Sequence, residues 1–352
     1  MKKTLCFVCI LSMLFVTLAS CSSEPAKKLY VYNWGEYISD GEDGSFDVNA
    51  EFEKKYGIEV VYDTYDNNEA MYAKLKGGGV NYDIVIPSDY MIERMISEDM
   101  LEKIDFSNIP NYSNISEKYL NQPYDPNNEY SVPYNVGMVG LIYNTKYVSP
   151  APTSWEALWD ANYSGKTLMF ANPRDAFAIA QSILGIDYNT TAEADWNAAA
   201  EKLKAQKSIK PSYVNDEVFN KMESGEAYLA PYYAGDFLSM VSVNPDLAFV
   251  YPSEGVNYFV DAACILKGSK NKESAVLYIN FLLEEETALA NAEYICYASP
   301  NTKVINNTEY TYYQNEILYP TQDKQPKTQI FTNLPQPSLD LMNSLWDSVK
   351  SE

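Results

Sequence analysis

Leu29-Tyr30-Val31-Tyr32-Asn33-Trp34-Gly35-Glu36-Tyr37-Ile38 is the stretch from which the fold is read. Leu29 to Tyr32 are residues that suit a buried, pleated ladder, so the segment opens as a strand. Asn33 and Gly35 let the chain turn cheaply, and the strand is expected to break there into a loop. That loop carries two amphipathic rings, Trp34 and Tyr37, and one carboxylate, Glu36. In open α/β sheets ligands bind just past the C-terminal ends of strands. Rings beside a carboxylate suit an organic cation, whose charge and methylenes take π-faces and whose ammonium groups take anions. On this stretch alone, a core Trp and Tyr beside a solvated Glu explain the residues equally well.

The next segments repeat the pattern. A helix is expected over Asp47 to Tyr56 with Gly57 as its stop, then a strand Ile58 to Tyr62 and a helix Glu69 to Lys76 ended by Gly77-Gly78-Gly79. Asp83-Ile84-Val85-Ile86 reads as a parallel-sheet strand, followed by Pro87-Ser88-Asp89-Tyr90 and a helix from Met91 to about Glu98. This β-α-β-α-β-α alternation predicts a doubly wound sheet. Beyond a polar loop, Val132-Pro133-Tyr134 and Val139 to Tyr143 are expected as two extended pieces with Gly137 and Gly140 between them. A second run then offers strands at Thr167 to Phe170, Tyr228 to Pro231, Phe249 to Tyr251 and Phe259 to Leu266, with helices at Trp155, Ala176 to Ile183 and Ala194 to Leu203. Glu273 to Leu289 reads as one amphipathic helix, and Leu339 to Val349 as another.

With 352 residues the chain is too long for one small core, which favours two domains. Lys2 and Lys3 precede an apolar run, Leu5 to Leu18, that is too short to span a bilayer. Removing residues 1–20 takes two lysines and no acids from the 26 Lys+Arg and 48 Asp+Glu, leaving 24 − 48 = −24. Such a chain repels nucleic acid and attracts cations. There is no histidine, which excludes Ser-His-Asp and Cys-His catalysis and the usual zinc sets. No metal site or cofactor motif is expected, and an enzyme would have to work through carboxylates alone. Cys264 and Cys296 either form one disulfide or remain two buried thiols.

Leu18-Ala19-Ser20-Cys21 resembles the lipobox of bacterial lipoproteins, which implies lipidation at Cys21, removal of 1–20 and a tether over 21–28. The rest resembles the spermidine/putrescine-binding proteins that feed polyamine ABC importers, from Leu29 to about Leu345. Tyr32 to Tyr37, Glu69 to Lys76, Tyr82 to Ser88, Tyr124-Asp125-Pro126-Asn127-Asn128 with Ser131-Val132-Pro133-Tyr134, and Asn271-Lys272-Glu273 carry the resemblance. It implies a two-lobe periplasmic-binding-protein fold, each lobe a doubly wound α/β sheet, with lobe 1 over 29–137 and 261–305 and lobe 2 over 138–260 and 306–352. It implies a monomeric, extracytoplasmic, lipid-anchored receptor that performs no chemistry and hands a polyamine to an ABC permease and its ATPase.

The ligand positions implied are Trp34, Tyr37, Ser88 and Tyr90 from the first lobe, Asp175 in the run Arg174-Asp175-Ala176-Phe177, and Tyr233, Phe259, Asp261 and Tyr297, with Asn215 as a further candidate. In a regular strand Phe259 and Asp261 face the same side. Spermidine-preferring members have a second acid where this chain has Asn172, whereas Ala234-Gly235-Asp236 and Phe259-Val260-Asp261 resemble putrescine-preferring members. Asp236 is therefore expected to replace the missing charge, which tilts the expectation toward putrescine. The alternatives are a receptor for another small organic cation, an anion or sugar receptor, a secreted glycoside hydrolase using Asp236 and Asp261, and an adhesin. A chain with only two arginines, Arg94 and Arg174, offers little to an anion.

Overall fold

The computed structural model describes residues 27–351; residues 1–20, Cys21 and most of the expected tether lie outside them. Strand β1 (Lys27–Trp34) starts two residues before the expected position and runs through Asn33 to Trp34. It pairs in parallel with β2 (Ile58–Tyr65) along its whole length, from Lys27 opposite Ile58 to Trp34 opposite Tyr65. Lys28 is held to Glu59 at 2.7 Å, which extends the ladder into the residues expected as tether. The third parallel strand, β3 (Ile84–Val85), lies on the other side of β1. Helices α1 (Val48–Tyr56), α2 (Asn68–Gly77) and α3 (Asp89–Ser97) alternate with these strands. The Asp47 side chain caps α1 through the Ala50 amide, and Gly57 ends it at φ 66°, so the start and stop expected from sequence have their usual physical causes.

Strand β4 (Ser131–Asn144) is a single strand of 14 residues, buried throughout, where two pieces were expected. Pro133 and the glycines do not break it. The register against its antiparallel partner shifts between Pro133 and Asn135, so the proline sits beside an irregularity. Gly137 and Gly140 leave room for rings: a Cβ would lie 2.4 Å from Phe259 Cζ at the first and 2.1 Å from Phe249 Cζ at the second.

The chain continues through β5 (Leu168–Phe170), α4 (Pro173–Leu184), α5 (Glu193–Gln206), β6 (Ser212–Val214), α6 (Glu217–Glu223), β7 (Leu229–Tyr233), α7 (Ala234–Val243), β8 (Leu247–Val250) and β9 (Val256–Ile265). Then come α8 (Lys272–Leu282), α9 (Glu285–Ile295), α10 (Thr302–Ile305), β10 (Thr328–Gln329) and α11 (Gln336–Ser351). The expected helix 273–289 is two helices. It breaks at Leu283 because Asn114 and Asn301 donate their side-chain amides to the Leu283 carbonyl, while Glu284 turns extended. The helix expected at Trp155 is a short 3-10 turn, Trp155–Trp159.

The main sheet runs β2-β1-β3-β9-β4-β7, with β8 also on β4 and β10 also on β9; β5 and β6 form a parallel pair beside β7. Thus β9 and β4 lie at the middle, antiparallel, linking the β1–β3 half to the β7–β8 half. Cys264 and Cys296 are both free and buried.

Entry into β4 is fixed by Asp125, which is buried and accepts from the amides of Glu129, Tyr130 and Ser131 at 2.9–3.0 Å and from the Ser131 hydroxyl at 2.8 Å. Asp125→Ala leaves these donors without an acceptor. It should lower unfolding stability by about 2–4 kcal/mol, read from the denaturant midpoint.

Candidate functional site

A cavity of about 380 Å³ opens where strand ends meet. Trp34 ends β1, Asp66 follows β2, and Ser88 precedes α3 after β3. On the other half, Asn172 and Asp175 follow β5, Asn215 and Asp216 follow β6, and Tyr233 and Asp236 lie at the junction of β7 and α7. Strand β9 passes beneath, and its alternation turns Asn257, Phe259 and Asp261 to the cavity. All eleven positions expected from sequence line it: Trp34, Tyr37, Ser88, Tyr90, Asp175, Asn215, Tyr233, Asp236, Phe259, Asp261 and Tyr297.

Three carboxylates are each held by a tyrosine hydroxyl. Tyr37 donates to Asp261 at 2.6 Å, Tyr233 to Asp175 at 2.9 Å and Tyr297 to Asp236 at 3.0 Å. The rings between them are in contact, Tyr233 against Phe259 at 5.4 Å, Phe259 against Tyr297 at 6.2 Å, and Tyr37 edge-on to Tyr297 at 5.3 Å. Trp34 is anchored through its indole N–H on the Ile86 carbonyl at 2.8 Å, and Tyr90 donates to Glu69 at 2.9 Å. With their hydroxyls turned onto acids, these tyrosines present π-faces, and the cavity wall is rich in acceptors.

Burial raises all three acids. Asp175 and Asp261 are pushed up to about 6 and Asp236 to about 8, in each case chiefly by desolvation and against the pull of the tyrosine hydroxyl. Asp236 is raised further by Asp216 and Glu36. Asp89, buried at the start of α3, is raised well above the carboxylate range by desolvation, although Val260 and Tyr90 amides bond it. Its hold on Val260 fixes β9 next to Asp261.

Residues that sequence reasoning did not assign to the site also line the wall: Asp66, Glu69, Asp89, Arg174, Asp216, Asn257 and Phe331. The position after β2 carried the same strand-end cue as Trp34 and went unused. Phe331 comes from the irregular segment before α11, where no periodicity pointed to it. Asn172 has a defined task. Its Oδ1 caps α4 at the Asp175 amide and its Nδ2 donates to Asp175 Oδ2, both at 2.9 Å. Asp236 accepts from the Tyr297 hydroxyl. Eight carboxylates line the cavity against one cation, Arg174, among the described residues.

A family model of bacterial extracellular solute-binding proteins matches residues 81–325, and one of hypothetical lipoproteins matches residues 1–127. The spermidine/putrescine-binding periplasmic protein of Escherichia coli K12 is 35% identical over 323 residues, 91% of each chain. Among solved structures, the spermidine/putrescine ABC transporter substrate-binding protein of Streptococcus pneumoniae is 33% identical with a TM-score of 0.78, covering 92% of this chain and 99% of that one. A lipoprotein of Treponema pallidum is 28% identical with a TM-score of 0.80, covering 92% and 99%. The architecture is therefore the periplasmic-binding-protein fold.

A carboxyl with a higher pKa folded than unfolded binds its proton more tightly in the folded chain. Its stabilising effect is full below the unfolded value and is lost as pH rises through the folded one. For Asp236 that loss runs from about pH 4 to about pH 8. Asp236→Asn should change the melting temperature little at pH 5 and raise it, relative to the parent, by a few degrees at pH 8, as measured by ligand-free thermal melts.

Proposed function

Because the chain belongs to the spermidine/putrescine-binding periplasmic proteins within the bacterial extracellular solute-binding family, we propose that it captures a linear polyamine outside the cytoplasm and delivers it to an ABC permease. The observation that carries this reading is the set of eight carboxylates facing one arginine in an aromatic-walled cavity. A ligand with separated ammonium groups on methylene spacers matches that wall: Asp261, Asp175 and Asp236 take the charges, and Trp34, Tyr37, Tyr233, Phe259 and Tyr297 take the methylenes. Ser88, Tyr90 and Asn215 complete the contacts at the edge.

Strands β4 and β9 connect the halves that close on the ligand, lobe 1 being 29–137 with 261–305 and lobe 2 being 138–260 with 306–352. The protein acts as a monomeric receptor without turnover. Glycoside hydrolysis finds no support in the relatives, whose names are those of transport proteins. Lipidation of Cys21 anchors the chain to the bacterial membrane, in the periplasm or at the cell surface. The sequence of that segment, the lipoprotein family match and the Treponema pallidum lipoprotein support it.

Calorimetry of residues 22–352 against putrescine, spermidine and cadaverine tests the reading; absence of saturable binding to all three would sink it. Asp261→Asn keeps the shape and removes the charge. It should weaken polyamine binding by about one to two orders of magnitude, since a charge-assisted bond contributes ~1.5–3 kcal/mol. For the anchor, Cys21→Ser should move the protein from the membrane fraction to the soluble one. An unchanged mature mass and membrane fraction would exclude lipid attachment.

A further inference from the structure

Residues 328–334, leading from β10 toward α11, form a strap tied down at several points on the β7–β8 half. Strand β10 pairs with Val256 and Asn257 of β9. Asn189, between α4 and α5, holds the strap through both ends of its side-chain amide. Its Nδ2 donates to the Ile330 carbonyl and its Oδ1 accepts from the Thr332 amide, both at 2.9 Å. Arg174 on α4 donates through Nη2 to Asn189 Oδ1 at 2.8 Å and to the Thr332 carbonyl at 3.2 Å. Phe331 is buried between these ties, packed with Ala178 and Tyr188 in a small cluster apart from the main core.

The same strap reaches the β1–β3 half through α3. The Asn333 amide donates to Glu93 Oε2 at 2.7 Å. Three residues earlier on α3, the Tyr90 ring meets Phe331 edge-on at 6.0 Å and the Arg174 guanidinium at 5.7 Å. Inside the cavity the halves face each other with like charge. Burial is the main cause that raises Asp175, Asp216 and Asp236, and Glu69, Asp66 and Glu36 of the other half raise them further. Each of these pairs pushes the halves apart. The Glu93–Asn333 bond pulls them together, and neither residue lines the cavity.

We propose that the strap and α3 form a clasp, with Glu93 as its catch, that favours the arrangement in which the two halves are closed over the cavity. This deepens the polyamine reading and rests on it for the ligand. The partners of the contact belong to different halves, so the contact is lost when the halves part. Its free energy enters the balance between open and closed arrangements and none of the ligand's own contacts. The affinity of a ligand that needs the closed arrangement scales with the population of that arrangement. Glu93 is thus a positioning residue that raises affinity for every polyamine by one common factor. The cavity acids, which touch the ligand, set the preference among polyamines.

Two variants of the mature chain test this. Glu93→Ala removes the acceptor, whereas Glu93→Gln keeps an acceptor and removes only the charge. In calorimetry Glu93→Ala should weaken putrescine and spermidine by the same factor, about three- to tenfold, and Glu93→Gln should restore most of the loss. Unequal losses for the two ligands, no loss, or an equal loss in both variants would overturn the clasp; the last would assign the effect to long-range charge. A second measurement needs no ligand. Spin labels at Ser97→Cys on α3 and Ala198→Cys on α5, both exposed positions, report the separation of the halves by pulsed dipolar spectroscopy. The native Cys264 and Cys296 are buried, which directs the labels to the introduced thiols. Without ligand, Glu93→Ala should shift the distances to longer values than in the parent, and Glu93→Gln should not. An unchanged distribution in Glu93→Ala would overturn the clasp whether or not polyamines bind. Failure of the parent to bind either polyamine would instead sink the receptor reading, so the two fail separately.

Discussion

The structure depends on carboxylates kept in a partly dry cavity with almost no countercharge. Removing an anion from water is costly, and the raised pKa of Asp175, Asp236 and Asp261 expresses that cost. A tyrosine hydroxyl on each acid offsets part of it and fixes the carboxylate's direction. None of these donors brings a positive charge. The free cavity therefore retains an electrostatic deficit that an incoming cation relieves, and recognition uses a strain already present in the fold.

The sheet supplies the geometry for that deficit. Strand β9 carries Phe259 and Asp261 on one face, while Asp89 holds the backbone between them at Val260. Strand β4 runs antiparallel beside it and pairs onward with β7, whose end leads to Tyr233 and Asp236. The same two central strands thus set the spacing between the acids of one half and the rings of the other. The strand-end loops need only present side chains over this frame.

Much of this was legible in the chain. Asp47 and Gly57 marked a helix's two ends, and the alternation after Leu29 gave the parallel strands, because caps and periodicity are local physics. Phe259 and Asp261 could be put on one face by counting alone. What stayed hidden was settled between distant residues. Pro133, Gly137 and Gly140 look like breakers, yet β4 stays whole because a register shift accommodates the proline and rings fill the space over the glycines. The helix pattern of 273–289 could not show that Asn114 and Asn301 would claim the Leu283 carbonyl. Nor could Asn172, read as a lost acid, reveal itself as the group that caps α4 and orients Asp175.

Gly235 has a consequence of a different kind. A Cβ there would lie 2.1 Å from Tyr297 Cδ2, so the ring that bonds Asp236 rests directly on the backbone of the first turn of α7. Gly137 stands in the same relation to Phe259. Any side chain at these two positions displaces a ring of the wall, whereas acids and amides along the same wall can be exchanged without crowding it. Descendants of this sequence are thus free to drift in charge before they can drift in shape. New ligands should be reached by rewriting acids and amides around a fixed aromatic slot, with the two glycines as the last positions to change.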